Sequence, residues 1–171
     1  MISDAQLEFS SAQAVTAAAA STNVIDFEAV RDIGSGNPLY IYTIVTTTMT
    51  DTSSNSQVVV SLQGSATAGG TYAPLVVVSG TDAAATTLLA TGGPSQGGQI
   101  LYVIPAVTAA GTQTAAGTIF VATVNPQAQI FRFLRVFYTP INGDLSAGAF
   151  TTRMSISSPI WKGFADGFTI S

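Results

Sequence analysis

The chain has neither histidine nor cysteine, and charged residues make up only 8% of its 171 positions. Histidine is the side chain that most often moves protons near neutral pH, and cysteine supplies thiolate nucleophiles, disulfides and thiolate zinc ligands. Lys162 is the only lysine, so neither histidine nor a second lysine is present to activate the many serine and threonine hydroxyls. These absences argue against an enzyme and predict a structural or binding protein.

The low charge content also predicts protein partners. A soluble domain carries about 25% charged residues, and charge is depleted where protein interfaces become dry. We therefore expect other protein to cover much of this surface. With 5 basic and 9 acidic residues the net charge is −4, so no basic stripe is available for nucleic acid.

Long apolar runs are absent as well. No stretch approaches the roughly 18 residues of a membrane span. The first ten residues contain Asp4 and Glu8 and no basic residue, which does not fit a secretory signal. We expect no membrane contact and synthesis in the cytoplasm.

Short β-branched and aromatic runs, separated by Gly, Pro, Asn and Ser clusters, make up most of the chain and predict an all-β fold. The runs cover residues 23–28, 39–49, 57–65, 74–79, 86–90, 99–106, 117–124, 129–139 and 148–156. Alternation within them predicts an antiparallel β-sandwich with one wetted face, because Gln57, Ser61 and Gln63 oppose three apolar neighbours. The predicted inner faces include Val58, Val60, Leu62, Ile100, Tyr102, Leu134, Val136, Phe150 and Met154.

The run near residue 135 differs because it is apolar on both faces. Phe131, Phe133 and Phe137 alternate with an equally apolar set, so a subunit, a long loop or a terminus must cover the second face. Arg132 and Arg135 lie on opposite faces. Each is either a surface group with a buried stem or an interface anchor for a carboxylate, and Arg135 joins the three phenylalanines as an interface candidate.

The two termini lie outside the sandwich pattern, which predicts three regions: an arm (1–22), a β-sandwich (23–158) and an aromatic tail (159–171). Residues 11–22 could form a short helix, but their Ser and Thr content favours an extended arm. We expect the arm to cross onto another subunit; the alternative is that it packs along its own sandwich. The tail either folds back or docks on a partner. The interface candidates in these regions are Leu7, Phe9, Val15, Trp161, Phe164 and Phe168.

No group of residues predicts a catalytic, cofactor or metal site. Asp26 and Glu28 share one strand face and could offer oxygens to calcium, or could be solvated rim residues balanced by Arg31. Two carboxylates on one side of a strand do not straddle a glycosidic bond. The glycines at 34 and 36 resemble a phosphate loop, but a proline and a strand follow where a helix should begin.

Five stretches of the first forty residues resemble the capsid cement proteins of tailed bacteriophages related to the Bordetella-phage cement protein family. They are DAQLEFS (4–10), AQAV (12–15), STNVID (21–26), RDIG (31–34) and PLY (38–40). Beyond residue 40 the likeness is looser and rests on the aromatic strand at 131–138.

The resemblance implies a jelly-roll-like β-sandwich that binds the outer surface of an icosahedral head in the virion. Its partners would be the major capsid protein, clamped non-covalently, and further copies of the chain as a dimer or a trimer. No catalytic residues carry over. The alternative function is a carbohydrate-binding or adhesive jelly-roll module, for which five tyrosines and one tryptophan offer few sugar-stacking platforms.

Overall fold

The computed structural model describes residues 7–28, 39–51, 55–74, 99–107, 112–124 and 132–155. These ranges contain ten strands and no α-helix. The strands are β1 (Glu8–Ala14), β2 (Ala19–Ala20), β3 (Ile25–Asp26), β4 (Leu39–Asp51), β5 (Gln57–Ser65), β6 (Ala73–Pro74), β7 (Gln99–Pro105), β8 (Ile119–Val124), β9 (Phe133–Ile141) and β10 (Leu145–Ser155). Each predicted run within these ranges contains a strand; the run at 86–90 and residues 75–79 of the run at 74–79 lie outside them.

The strands form two antiparallel sheets. Sheet A has the order β1-β10-β4-β8. Sheet B has the order β2-β9-β5-β6, and β3 also pairs with β9 while β7 pairs with β5. The long strands β4 and β10 form the centre of sheet A, and β5 and β9 form the centre of sheet B. The predicted all-β antiparallel sandwich is confirmed.

Most steps along the chain cross from one sheet to the other, including β1 to β2, β4 to β5, and both steps from β8 to β10. Such alternation is the connectivity of jelly-roll sandwiches. The turn between β9 and β10 is an example, since Asn142 and Gly143 adopt positive φ values of 61° and 129°. These left-handed conformations let three residues carry the chain between the sheets.

The core lies between the two sheets and agrees with the alternation in the sequence. Seven of the predicted inner residues are buried there: Val58, Val60, Leu62, Leu134, Val136, Phe150 and Met154. Tyr102 is half-buried and packs against this core. Ile100 lies in β7, but its side chain is not among those that the structure describes. The core also contains residues that the pattern did not identify, among them Phe9, Val15, Ile41, Val45, Met49 and Ile104.

The structure corrects the expected course of the N-terminal arm. Residues 8–14 are extended, as predicted, but they pair with β10 of the same chain, and residues 19–20 pair with β9. Phe9 is 0% and Val15 1% exposed, so both belong to this chain's own core rather than to a partner. The reason is an irregularity in β1: Ala12 has a positive φ of 45°, and the register with β10 shifts between Ser10 and Gln13. This bulge hides the apolar period of the segment.

The side chain of Gln13 holds the crossing between β1 and β2. Its amide nitrogen donates to the carbonyl oxygen of Ala20 at 2.7 Å, and its amide oxygen accepts from the backbone N–H of Thr22 at 3.0 Å. Asn23 then donates its backbone N–H to the carbonyl oxygen of Phe9 at 2.9 Å. Residues 8–20 therefore contribute the first strand of each sheet, β1 in sheet A and β2 in sheet B, on the same side of the sandwich.

A chain of buried hydroxyl groups joins the two sheets through the core. Tyr138 of sheet B lies 2.6 Å from the Ser10 hydroxyl and donates to Thr152 at 2.7 Å. Thr152 lies 2.5 Å from the Thr43 hydroxyl, which accepts from Tyr102 of sheet B. Burial raises the pKa of both tyrosines, so they stay protonated. Because these hydroxyl groups partner one another inside the sandwich, the network favours one alignment of the sheets.

Candidate protein interface

The predicted interface residues occupy three kinds of position. Phe9 and Val15 are buried in the core, and Leu7 is half-buried against it. Phe133, Arg135 and Phe137 lie on the outer face of sheet B, where Phe133 is buried and the other two are half-buried. The remaining four candidates lie outside the described residues: Phe131, Trp161, Phe164 and Phe168.

The outer face of β5 is covered, which corrects the prediction of a wetted face. Ser61 and Gln63 are both 0% exposed. In the register between β5 and β9, Gln63 lies directly opposite Arg135, and the Ser61 hydroxyl donates to the carbonyl oxygen of Phe137 at 3.2 Å. The large side chains of β9 therefore cover the polar side chains of β5 on this face.

Part of this cover comes from the loop after β5. Tyr72 is 6% exposed, and its hydroxyl donates to the carbonyl oxygen of Ala68 at 3.2 Å. The guanidinium carbon of Arg135 lies 4.0 Å from the centre of the Tyr72 ring and 5.5 Å from that of Phe137. The Nε–H of Arg135 donates to the Oε1 atom of Gln63 at 2.7 Å. We call Arg135, Tyr72, Gln63 and Phe137 the Arg135 cluster.

The other arginine of this region has a carboxylate partner. Arg132 donates to both carboxylate oxygens of Asp26, at 2.8 and 2.9 Å, and its guanidinium carbon lies 4.8 Å from the Phe133 ring centre. The hydrogen bond from Arg132 lowers the pKa of Asp26, and the pKa of Arg132 is raised in turn. Arg132 is therefore a partner of Asp26, and Arg31, which the sequence offered as a balancing charge, lies outside the described residues.

Arg153 is also paired, on the outer face of sheet A. It contacts Glu8 of the neighbouring β1 at 2.5 Å and lies opposite Tyr42 of β4 in the register. Burial lowers the pKa of Arg153, but the hydrogen bonds to Glu8 and Tyr42 and the negative charge of Glu8 outweigh burial and raise it. This pair connects β1 to the centre of its sheet, which adds to the reasons that residues 8–14 stay on their own sandwich.

One edge of the sandwich is open among the described residues. Strand β8 is the last strand of sheet A, with β4 on one side and no described strand on the other. Its sequence IFVATV has no charge and no proline, and residues 83–131 contain no Asp, Glu, Lys or Arg. Ile119 is 47% exposed. Natural edge strands usually carry charges, prolines or bulges that prevent pairing, and β8 has neither a charge nor a proline.

Neither a cluster of metal ligands nor a membrane-spanning helix is found among the described residues. Within the part of the chain that the structure describes, no three His, Cys, Asp or Glu side chains are grouped as metal ligands would be. The same part of the chain contains no helix long and apolar enough to span a membrane.

The sequence did not identify Tyr72 and Gln63 as partners of Arg135, or Ile119 as an exposed side chain on a strand at the sheet edge. Gln63 was expected to face solvent, and Tyr72 follows a glycine turn with no periodic neighbour. The pairing of β5 with β9 brings Gln63 and Arg135 together across 72 positions, and no local pattern encodes that register. The alternation in β8 was visible, but the sheet order decides which strand is an edge.

The fold and this surface define an antiparallel β-sandwich protein with a stacked arginine on one face and an uncharged sheet edge. The family model described as Bbp16 matches residues 9–106, which extend from β1 to the end of β7. The chain therefore belongs to the Bbp16 family, a phage-associated family that takes its name from a Bordetella phage protein. A search of curated proteins finds no match.

Proposed function

We propose that this protein is a capsid cement protein of a tailed bacteriophage. It binds the outer surface of the icosahedral head and holds neighbouring major capsid proteins together without covalent chemistry. Its partners are the major capsid protein and further copies of this chain. It acts as a structural part of the virion and catalyses no reaction.

The observation that carries this proposal is the match of residues 9–106 to the phage-associated Bbp16 family. The match includes one central strand of each sheet, β4 of sheet A and β5 of sheet B. The scarcity of charge supports a protein that works with much of its surface covered. An outer position is supported by the net charge of −4, because packaged DNA phosphates would repel an acidic protein from the inside of the head.

The open edge of β8 supports a specific mode of attachment. A partner strand added to β8 would hydrogen-bond with the backbone groups on the side where no described strand lies, and the side chains that point away from the core, such as Ile119 and Val121, would contribute apolar contact. Such contacts depend on backbone hydrogen bonds and apolar area, which salt screens little. We therefore expect attachment to the head to tolerate high salt.

The carbohydrate-binding alternative has less support from the described surface. Sugar-binding modules stack aromatic rings on their ligands, whereas the large apolar side chains exposed in the described ranges are aliphatic, namely Val24 and Ile119. Both suit contact with protein.

The test is uptake by heads assembled without this protein. Purified protein is added to such heads, and binding is followed by co-sedimentation, by cryo-electron microscopy and by the temperature at which the heads rupture. We expect regular decoration of the outer surface and a higher rupture temperature. Ile119→Lys places a charge on the open edge and is expected to weaken binding, whereas the matched control Val24→Lys adds the same charge to an exposed aliphatic position away from β8.

Two results would contradict the proposal. Heads that take up no wild-type protein at micromolar concentration would exclude a cement function. Release of bound protein by salt alone, without denaturant, would exclude attachment through apolar area and backbone hydrogen bonds.

A further inference from the structure

Arg135 is unusual among the arginines that the structure describes. Arg132 is paired with Asp26 and Arg153 with Glu8, both through carboxylate oxygens. Arg135 instead donates its Nε–H to the neutral amide of Gln63. No carboxylate among the described residues balances its charge, although nine acidic residues in the sequence outnumber the five basic ones.

The contacts of the Arg135 cluster restrain the position of the guanidinium group. The Tyr72 ring lies against it at 4.0 Å, and the ring of Phe137 lies at 5.5 Å. Gln63, which accepts the Nε–H, is itself 0% exposed and therefore cannot move freely. A guanidinium stacked on rings and bonded through Nε has lost most of its conformational freedom before any partner arrives.

The remaining donors of Arg135 are suited to a carboxylate. The guanidinium group has five N–H donors in one plane, and the contacts of the Arg135 cluster use the one on Nε. The four N–H groups on the two Nη atoms form a fork that matches two carboxylate oxygens. Burial lowers the pKa of Arg135, which is consistent with a cation held partly out of water without a counter-charge.

We propose that Arg135 is a preformed anchor for an aspartate or glutamate side chain of the major capsid protein. This inference rests on the proposed cement function and names the chemistry of one contact. A protein carboxylate is favoured over phosphate because a single arginine on a chain of net charge −4 cannot attract a nucleic acid backbone. Arginine is also among the residues that most often dominate protein interfaces.

The first test measures affinity for heads that lack the protein. Arg135→Gln is expected to weaken binding by about 30-fold or more, the loss typical of an interface hot spot. The matched control is Arg132→Gln, which removes the neighbouring arginine that is already paired with Asp26, and it is expected to change affinity less than about threefold. Thermal midpoints of the free variants establish that both remain folded.

The second test uses the rarity of lysine in this chain. In Arg135→Lys a carbodiimide can join the new amine to a carboxylate in contact with it, and Lys162 is the only native lysine that competes. We expect a cross-link from position 135 to an acidic residue of the major capsid protein, formed on heads and absent from the free protein. The control Arg132→Lys is expected to cross-link internally to Asp26.

The outcomes separate this inference from the proposed function. If wild-type protein does not decorate heads, the cement function fails, and the anchor fails with it. If wild-type protein decorates heads but Arg135→Gln binds equally well, the anchor alone is wrong. A cross-link from position 135 to a second copy of this chain would also overturn it, because the partner would then be the cement protein itself.

Discussion

Replacing Phe9 with alanine tests whether residues 7–14 belong to the sandwich of their own chain. The Phe9 side chain is 0% exposed and packs in the core between the sheets. The sequence pattern had instead predicted that the arm containing Phe9 contacts a neighbouring subunit. Truncating a buried phenylalanine to alanine removes its apolar contacts and leaves a cavity, which together cost about 3 to 5 kcal/mol. In a domain of this size each kcal/mol lowers the midpoint by about 2 to 4 °C. We therefore expect the Tm of Phe9→Ala to fall by roughly 6 to 20 °C.

The assay is thermal and urea unfolding of the isolated protein, followed by circular dichroism. Val24→Ala is the matched control, because Val24 is 43% exposed in the same N-terminal segment and its truncation should cost less than about 0.5 kcal/mol. Deletion of residues 1–20 extends the test. It removes β1 and β2, which pair with the central strands β10 and β9, so the shortened protein should be much less stable.

The opposite result would refute this reasoning. If Phe9→Ala and the deletion leave the midpoint of the isolated protein unchanged, the segment does not pack on its own sandwich in solution. If the same variants then fail to decorate heads, the arm binds a neighbouring subunit, as the sequence predicted.

Three further predictions concern polar contacts. Tyr138→Phe removes the hydroxyl that contacts Ser10 and Thr152, and should lower the free energy of unfolding by about 1 to 2 kcal/mol in urea titrations; an unchanged value would show that the network contributes nothing. Gln13→Ala should speed hydrogen exchange at the backbone N–H of Thr22, which loses its acceptor; equal exchange would contradict the contact. The hydrogen bond from Arg132 lowers the pKa of Asp26, so the ion pair is present while this carboxylate is charged and is lost as the pH falls through the lowered pKa. Carboxyl NMR should show this inflection move up in Arg132→Gln, and an unmoved inflection would exclude the pair.

The sequence alone determined the class of fold and the position of most strands. Alternation such as Val58, Val60 and Leu62 against polar neighbours is a local pattern, and it identified the inner face of β5 correctly. The clusters at 68–70 and 142–144 identified turns among the described residues, because the backbone conformations that glycine and asparagine permit are also local. The absence of histidine and cysteine is likewise a property of the sequence.

The candidate interface was only partly accessible from the sequence. Arg135 and Phe137 were identified because an apolar strand with two covered faces is unusual. Their described partners on the face, Tyr72 and Gln63, were not identified. Nothing near position 63 or 72 shows that an arginine lies above it, and the outward polar side of β5 resembled an ordinary wetted face.

Only the tertiary structure decided which strands are neighbours and in which register. Ser10 meets Tyr138 across 128 positions, and Glu8 meets Arg153 across 145. Sheet order also made β8 an edge among the described strands and placed β1 against β10. Periodicity reports only which face of a strand is apolar. The pairing and register of strands depend on burial and hydrogen bonding summed over whole strands that are far apart in the chain. No local stretch of sequence therefore specifies which strands pair.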